Sequence, residues 1–589
     1  MSEITKKYFY FGTEILLVLV GIICLINRVF KGVCYTDEMW YISEPYVVSQ
    51  GAIPFVNNWT QSPGFVFPLA IIYKLFVSIN KGTDGIVLFS RIIYLLWFFC
   101  ICFITIIFVN KRTEKKLPLI IIFPLLFLTP FQLYAINYNT IGLLYLMPIA
   151  VLLLVNSHRE ESWKNLIYGI IAGVLMGRSI IGTPNTLAAA FFLLVVLIVW
   201  NRWKTLCGYI VGGIISAIIV ICFCSVVGEG IGKLIDGLNY MLRDLGYFQI
   251  EGVPLYNKII GLWQFLRPFF CCLCVVGLMK LMVIKLLKKQ CFFKFGLLLI
   301  TLLFFIYGLI KGQKGYPSGL ESMISWCWFE TLVFSIFSPR SETKETVNII
   351  SLFTLMYLCV YLFVGFSNIS GFGPRSFWLY ISVIGSIWSW YLMCRECVSN
   401  LFIAKLFLLF SCVLLGITMI YTSYGYVFDD APVKELNKRI DSGVLQGVYT
   451  TEEKKDYVLK MEKVINGMVK ENEKILFLDW SSFGYLMSKG VMCAPSSYDS
   501  CIYSYKVNKP DIMYDYYYQV QSVPDAIIYI DYGHDDLLSI EYTGWKFNEF
   551  VNNNYKLNNS YEDDTLRVYR YDIIEKEKTI EWINEINKS

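Results

Sequence analysis

Apolar runs long enough to cross a bilayer recur between residues 10 and 421, and then they stop. A transmembrane helix needs roughly twenty apolar residues to cover a hydrocarbon core of about 30 Å. Basic connectors separate many of these runs, and a segment rich in Lys, Glu, Asp and Asn follows the last of them. The pattern predicts candidate spans at 10–30, 63–79, 86–109, 117–130, 140–156, 165–181, 185–200, 205–227, 259–284, 295–311, 319–337, 347–366, 376–393 and 401–421.

The distribution of basic residues sets the orientation of these spans, because Lys and Arg favour the cytoplasmic side of a membrane. Basic residues precede the first run, and the connector 110–116 is also basic. If both are cytoplasmic, an even number of crossings must lie between them, although three candidates lie there. The run 63–79 is the weakest because it contains Pro68 and Lys74, so we predict an interfacial or re-entrant helix.

We therefore expect an all-α polytopic membrane protein with about thirteen transmembrane helices and a C-terminal extracytoplasmic α/β domain. Residues 1–421 form the membrane domain, with a first outer loop at 31–85, and residues 422–589 form the soluble domain. In the soluble domain, the apolar runs KILFLDW and DAIIYIDY alternate with helical patterns, which favours an α/β fold. The expected location is the cell membrane, with the N-terminus in the cytoplasm.

Composition supports a membrane protein, since 56% of the residues are hydrophobic and 16% are charged, whereas soluble proteins carry about 25% charged residues. The net charge of +5 includes no block of like charge, so nucleic acid is not an expected partner. With only two His residues, neither a cofactor nor a metal site is predicted, and a divalent metal is left open. Pairing of Cys493 with Cys501 is also left open.

Two groups of charged residues are candidates for chemistry. Asp37 and Glu38 directly follow the first span, in a loop rich in aromatic residues, and a carboxylate at such a boundary can act as a general base. A solvated interfacial loop is the alternative interpretation. The predicted topology also puts several cations on the outer side, where they suit a phosphate group unless they form structural ion pairs. These cations are Arg91, Arg178, Arg267, Lys311, Lys314 and Arg375.

The first outer loop resembles that of the GT-C glycosyltransferases that use polyprenyl-phosphate sugars, such as the protein O-mannosyltransferases and the aminoarabinose–lipid A transferases. The likeness covers roughly residues 10–200. At one position the chain departs from the pattern, because it has Asn139 where many relatives have an acidic residue. The resemblance is carried by the YTDE segment with Tyr41, the turn from Gly51 to Pro54, the helix start at Pro63, and Arg91, Tyr138, Gly173, Gly177 and Arg178.

The resemblance implies transfer of a sugar from a polyprenyl-phosphate donor to a hydroxyl of a lipid, glycan or protein acceptor, with inversion at the anomeric carbon. Asp37 is then the expected catalytic base and Glu38 its rival. The resemblance assigns the donor phosphate to Arg91, Arg178 and Arg375, and the predicted charge layout adds Lys311 and Lys314. Membrane lipid is a further partner. Two alternatives are a polysaccharide polymerase or ligase, and a flippase or transporter of lipid-linked sugars, which normally shows internal repeats.

Overall fold

The computed structural model describes most of the membrane domain up to residue 287 and most of the soluble domain. The predicted spans 295–311, 319–337, 347–366 and 376–393 lie outside the described residues, apart from five isolated positions. The described residues are 2–60, 63–112, 118–129, 133–156, 162–228, 230–244, 255–287, 356, 359, 362–363, 387, 401–425, 427–478, 482–497, 511–531 and 546–586.

Most of the apolar runs within the described residues form helices. Five helices, α1, α4, α7, α9 and α12 as bounded below, are long and apolar enough to cross a membrane. The chain is therefore a polytopic membrane protein, and the count of about thirteen crossings stays a prediction. The helices are α1 Glu3–Val29, α2 Asp37–Ser49, α3 Val66–Asn80, α4 Ile86–Arg112, α5 Ile122–Leu125, α6 Tyr138–Asn156, α7 Trp163–Gly182, α8 Leu187–Val199, α9 Trp203–Val227, α10 Ile231–Asp244, α11 Leu255–Leu287 and α12 Leu401–Gly425.

The run 63–79 forms α3, a helix of 15 residues. At 1.5 Å per residue it extends over about 22 Å, which is shorter than a hydrocarbon core of about 30 Å. Its buried side chains face α2 and α4, and the Tyr73 hydroxyl donates a hydrogen bond to Ser90 Oγ on α4 at 2.6 Å. The length is compatible with the predicted interfacial helix, whose position in the membrane stays a prediction.

The run 117–130 was predicted as a span, but it is not a continuous helix. Leu119–Ile121 is a 3-10 turn, and α5 adds only four residues. The side chains of this segment are buried. The Ile120 N–H donates to Glu14 in the middle of α1 at 3.3 Å. Phe123 lies against Gly21 of α1 and Gly416 of α12, so protein surrounds the segment.

A second irregular stretch, residues 133–137, lies near the end of α1. Leu133 and Ala135 pack with Cys34, which lies just beyond the last turn of α1. Residues 118–129 thus lie near Glu14 and residues 133–135 near Cys34, and within these two described stretches the longest helix has four residues. Irregular backbone is tolerated at membrane depth only where protein or water covers it, and here α1 and α12 cover it.

The backbones of α7 and α9 are in direct contact. Small residues recur at every fourth position on the facing sides of both helices, a pattern that allows close approach of membrane helices. A Cβ on Gly173 would lie 2.0 Å from the carbonyl oxygen of Tyr209, and a Cβ on Gly212 would lie 2.1 Å from that of Ile170. The small residues are Gly169, Gly173 and Gly177 on α7, and Gly208, Gly212 and Ser216 on α9.

We expect Gly173→Ala to destabilise the protein, because the added methyl group must separate two backbones. Overpacking of this kind costs about 1–3 kcal/mol. Gly213→Ala is the matched control, since a Cβ at Gly213 has no atom within 4 Å and both substitutions raise helix propensity equally. Thermal melting in detergent measures the difference, and equal melting temperatures would contradict the contact.

The soluble domain has a five-stranded sheet in the order β4-β3-β5-β7-β6. The two predicted apolar runs form the central strands β3 and β5, which are parallel, whereas β7 and β6 are antiparallel additions. The elements are β1 Lys438–Arg439, β2 Tyr449–Thr450, α13 Glu452–Met468, β3 Lys474–Leu478, α14 Ser482–Met487, β4 Val491–Met492, α15 Asp511–Val520, β5 Ala526–Asp531, α16 Lys546–Asn554, β6 Tyr555–Glu562, β7 Arg567–Ile573 and α17 Lys576–Ile586.

A buried carboxylate joins the soluble domain to the first outer loop. Glu44 on α2 is fully buried, and its Oε1 accepts hydrogen bonds from Ser496 Oγ at 2.7 Å and from the Ser497 N–H and Oγ at 2.8 Å. Its Oε2 accepts from Asn58 Nδ2 at 2.8 Å. A buried charge is stable only when it is satisfied in this way. These bonds hold α2 in a fixed position beneath the soluble domain.

Candidate functional site

The site is built where α1 and α12 end side by side. At their beginnings, Lys6 Nζ lies 5.6 Å from the centre of the Phe402 ring. At their ends, Arg28 Nε donates to the Ser423 carbonyl oxygen at 2.8 Å. The two helices therefore run parallel along their whole length. The segments that follow them, 30–36 and 427–431, emerge at the same face and meet there.

Two adjacent aspartates after α12 hold these segments together. Asp430 Oδ2 accepts from the Val33 N–H at 2.8 Å and from Thr450 Oγ1 at 2.9 Å. Asp429 Oδ2 accepts from Thr36 Oγ1 at 2.9 Å. Thr36 precedes α2, so Asp429 lies next to the first turn of the helix that begins with Asp37.

Glu38 in that first turn forms a buried ion pair with Arg91 of α4. The Nε and Nη2 of Arg91 each donate to one carboxylate oxygen at 2.7 Å, and both side chains are at least 96% buried. Arg91 also donates to the carbonyl oxygens of Val29 and Gly32 at 2.8 Å. This guanidinium is neutralised within the protein, so we give Arg91 a positioning role instead of the predicted contact with the donor phosphate. Glu38 is likewise occupied by this pair, which leaves Asp37 as the candidate base.

Asp37 differs from Glu38 in its surroundings. Its side chain is partly buried, and among the described residues no group makes a hydrogen bond or ion pair with its carboxylate. Burial, with a smaller contribution from the negative charge of Asp429, raises the pKa of Asp37 to about 6. At neutral pH the carboxylate is mostly ionised, and it is more basic than an ordinary aspartate. This combination suits a general base.

An aromatic group connects α2 to the start of α6. The ring of Tyr138 lies 5.5 Å from that of Trp40 and 5.8 Å from that of Tyr41, measured between centroids. Tyr41 in turn meets Phe65 edge to face at 6.4 Å. Gly64 beside Phe65 packs directly on the backbone of Ile181, near the end of α7. The outer loop, α6 and α7 are thus in continuous contact.

Arg178 lies on α7 one turn before this contact, within a helix long enough to cross the membrane. Its side chain forms a hydrogen bond with Tyr145 of α6, whose ring lies 6.1 Å from that of Trp97 on α4. Both terminal nitrogens, Nη1 and Nη2, are buried, and no described residue accepts a hydrogen bond from either. A buried cation without an anion is unfavourable, so Arg178 is a candidate for binding a negatively charged group.

The structure does not place the remaining predicted cations in the site. Arg267 is an exposed residue of α11, and Lys311, Lys314 and Arg375 lie outside the described residues. Asp429 and Asp430 were not among the predicted site residues. The sequence did contain an indication of them. This acidic pair follows the last span, as Asp37 and Glu38 follow the first. Because the two helices are parallel, the segments that follow them lie close together.

Within the part of the chain that the structure describes, no three His, Cys, Asp or Glu side chains are grouped to hold a metal ion. Neither protein-family models nor curated proteins yield a match to this chain. The function must therefore be inferred from the chemistry of Asp37, Arg178 and their neighbours.

Proposed function

We propose that this protein is a membrane glycosyltransferase that moves a sugar from a polyprenyl-phosphate donor to an acceptor hydroxyl. The observation that carries the proposal is the partly buried carboxylate of Asp37, which has a raised pKa of about 6 and is unpaired among the described residues. Such a group is free to take a proton, whereas Glu38 beside it is held by Arg91. We place the reaction on the non-cytoplasmic face of the cell membrane, in accord with the charge distribution along the chain.

The proposed reaction is a single displacement. Asp37 takes the proton of the acceptor hydroxyl while the acceptor oxygen attacks the anomeric carbon of the donor sugar. The bond between that carbon and the phosphate oxygen breaks, and the polyprenyl phosphate leaves with the electron pair. Attack from the opposite side inverts the anomeric centre, as in single-displacement glycosidases. A phosphate leaves without protonation when cations stabilise its charge, so one carboxylate is sufficient.

Arg178 is the proposed binding residue for the donor phosphate. Its two terminal nitrogens are buried beside Tyr145 in a helix able to cross the membrane. A guanidinium can donate to two phosphate oxygens at once. If the phosphate is bound by a residue of a membrane-spanning helix, the polyprenyl chain can remain in the hydrocarbon region. The reacting sugar then lies at the membrane surface.

We expect Arg178→Gln to weaken binding of polyprenyl phosphate by roughly ten- to hundredfold, because a charge-assisted hydrogen bond contributes about 1.5–3 kcal/mol. Lys164→Gln is the control, since Lys164 is an exposed cation at the other end of the same helix. Binding of radiolabelled polyprenyl phosphate to the purified protein measures both variants. Equal affinities of the two variants would exclude Arg178 from the phosphate site.

The proposed activity is tested by incubating the purified protein with defined polyprenyl-phosphate sugars and acceptors. Mass spectrometry then detects released polyprenyl phosphate and the glycosylated acceptor. We expect both products with the wild-type protein and far less of either with Asp37→Asn. Movement of the intact lipid-linked sugar between leaflets, without its cleavage, would instead support a transporter.

A further inference from the structure

A second feature lies on the soluble side of Asp37. An open cavity of about 970 Å³ separates the ends of α1 and α12 from the soluble domain. It is bounded by the segments after α1 and α12, by the first three turns of α13 and by the loop between β6 and β7. Its size is typical of a site for a small ligand of several rings.

The cations that line this cavity are already engaged. Lys454 Nζ donates to the carbonyl oxygen of Val33 at 3.2 Å and lies 3.8 Å from Asp430 Oδ1. Lys460 Nζ donates to Asp563 Oδ2 at 2.7 Å and to Thr565 Oγ1 at 2.9 Å. Each of these ammonium groups is therefore neutralised by a carboxylate of the protein.

Several carboxylates of the cavity, unlike its cations, have no ion-pair partner among the described residues. Glu453, Asp456 and Asp564 are exposed at its rim, and none forms an ion pair with a described residue. Asp429, also exposed, uses its Oδ2 to hold Thr36. An ionised carboxylate only accepts hydrogen bonds, so the ligand must be rich in donors. The excess of negative charge repels an anionic ligand.

Aromatic rings form one wall of the cavity. Tyr35 and Tyr457 meet edge to face with centroids 5.9 Å apart, and Phe483 lies 6.0 Å from Tyr35 behind them. Both tyrosines line the cavity, and Lys454 Nζ lies over one face of the Tyr35 ring, 4.7 Å from its centroid. An aromatic face packs against the apolar C–H face of a ring, while carboxylates around it accept hydrogen bonds from the ring's substituents.

From this combination of an aromatic wall and unpaired acidic groups, we propose that the cavity binds a saccharide, prefers amino sugars to neutral sugars, and excludes acidic sugars. The ligand's hydroxyl or ammonium groups donate to Glu453, Asp456 and Asp564. If the protein is a glycosyltransferase as proposed above, this is its acceptor site. Asp429 lines the cavity and is close enough to Asp37 for its charge to act there, so the bound sugar lies beside the proposed base.

Equilibrium binding to the full-length protein in detergent, without donor, tests the proposal independently of transfer. The probes are a glucosamine trimer, maltotriose and trigalacturonate. We expect the glucosamine trimer to bind most tightly, maltotriose more weakly, and trigalacturonate not at all. The double variant Asp456→Asn/Asp564→Asn removes two exposed charges without touching the core, and we expect it to weaken binding of the glucosamine trimer about tenfold or more.

Glu577→Gln is the matched control, because Glu577 is an exposed acid of the same domain that does not line the cavity. Failure of the glucosamine trimer to bind, equal binding of trigalacturonate, or unchanged binding by the double variant would each overturn the saccharide site. Saccharide binding with no release of polyprenyl phosphate would refute the glycosyltransferase proposal alone. Release of polyprenyl phosphate with no saccharide binding would refute the cavity alone.

Discussion

Asp37→Asn is expected to lower kcat by about 10²–10⁴-fold, the usual contribution of general-base catalysis. Asparagine keeps the shape of the side chain but cannot take the acceptor's proton. Donor binding should change little, because the proposed phosphate contact is made by Arg178. Single-turnover transfer and donor binding measured on the same preparation separate the two effects. Near-normal transfer by Asp37→Asn would remove the catalytic role and make Glu38 the next residue to test.

The pH dependence of the wild-type protein provides an independent check. The pKa of Asp37 is about 6, raised chiefly by burial. Protonated Asp37 cannot act as a base, so kcat/KM should fall as the pH decreases through about 6. A pH profile that is flat between 5 and 7, around that pKa of about 6, would be incompatible with this role.

Stability should move in the opposite direction from activity. Because folding raises the pKa of Asp37, the folded state binds this proton more tightly than the unfolded state does. The free energy of unfolding therefore decreases as the pH rises from about 4 through about 6. Asp37→Asn removes this dependence together with the repulsion from Asp429. The melting temperature at pH 7 should therefore be unchanged or higher in the variant. A purely structural role for Asp37 predicts a lower melting temperature instead.

The second large effect is expected at the ion pair between Glu38 and Arg91. Arg91→Met leaves a carboxylate that is 1% exposed without its cation, and breaking a buried pair in this way costs about 3–5 kcal/mol. Replacing both partners by Met removes both charges, and we expect the double variant to be more stable than Arg91→Met alone. Thermal melting of the two single variants and the double variant gives the coupling energy.

An additive result, in which the double variant loses the sum of the two single losses, would contradict the proposed coupling. The transfer activity of the double variant tests the positioning role of the ion pair. Glu38 and Asp37 are neighbours in the first turn of α2, and Arg91 fixes that turn against α1 through the carbonyl oxygens of Val29 and Gly32. We therefore expect the stable double variant to transfer sugar more slowly than the wild-type protein, with donor affinity retained.

Hydropathy predicted the long helices because a transmembrane helix is defined by the apolar composition of its own roughly twenty residues. The predicted spans 10–30, 86–109, 165–181 and 205–227 lie within α1, α4, α7 and α9, apart from one residue at the end of α1. The same signal was wrong for 117–130 as a helix. Burial between α1 and α12 requires apolar side chains as lipid does, so composition cannot distinguish the two environments. The irregular backbone depends on Glu14 and on glycines distant in sequence.

The site was predictable in part for the same reason. The position of Asp37 and Glu38 directly after the first span indicated carboxylates at a membrane boundary. Their different roles depend on residues that are distant in sequence, since Glu38 pairs with Arg91 and Asp37 faces Asp429. Arg91 and Arg178 were both predicted to bind phosphate, but only the fold shows that the first is neutralised by an acid and the second is not, within the described residues.

The segment 118–129 also has a consequence for biogenesis. A nascent chain leaves the translocon sideways into lipid only when its backbone is hydrogen-bonded internally, as in a helix. This segment lacks such a helix, and among the described helices α12, which shields it, begins only at Leu401. At about 5–20 residues per second, synthesis of the intervening chain takes on the order of tens of seconds. We therefore expect the ribosome-bound precursor to need a temporary partner for this stretch over that interval, such as an insertase or intramembrane chaperone.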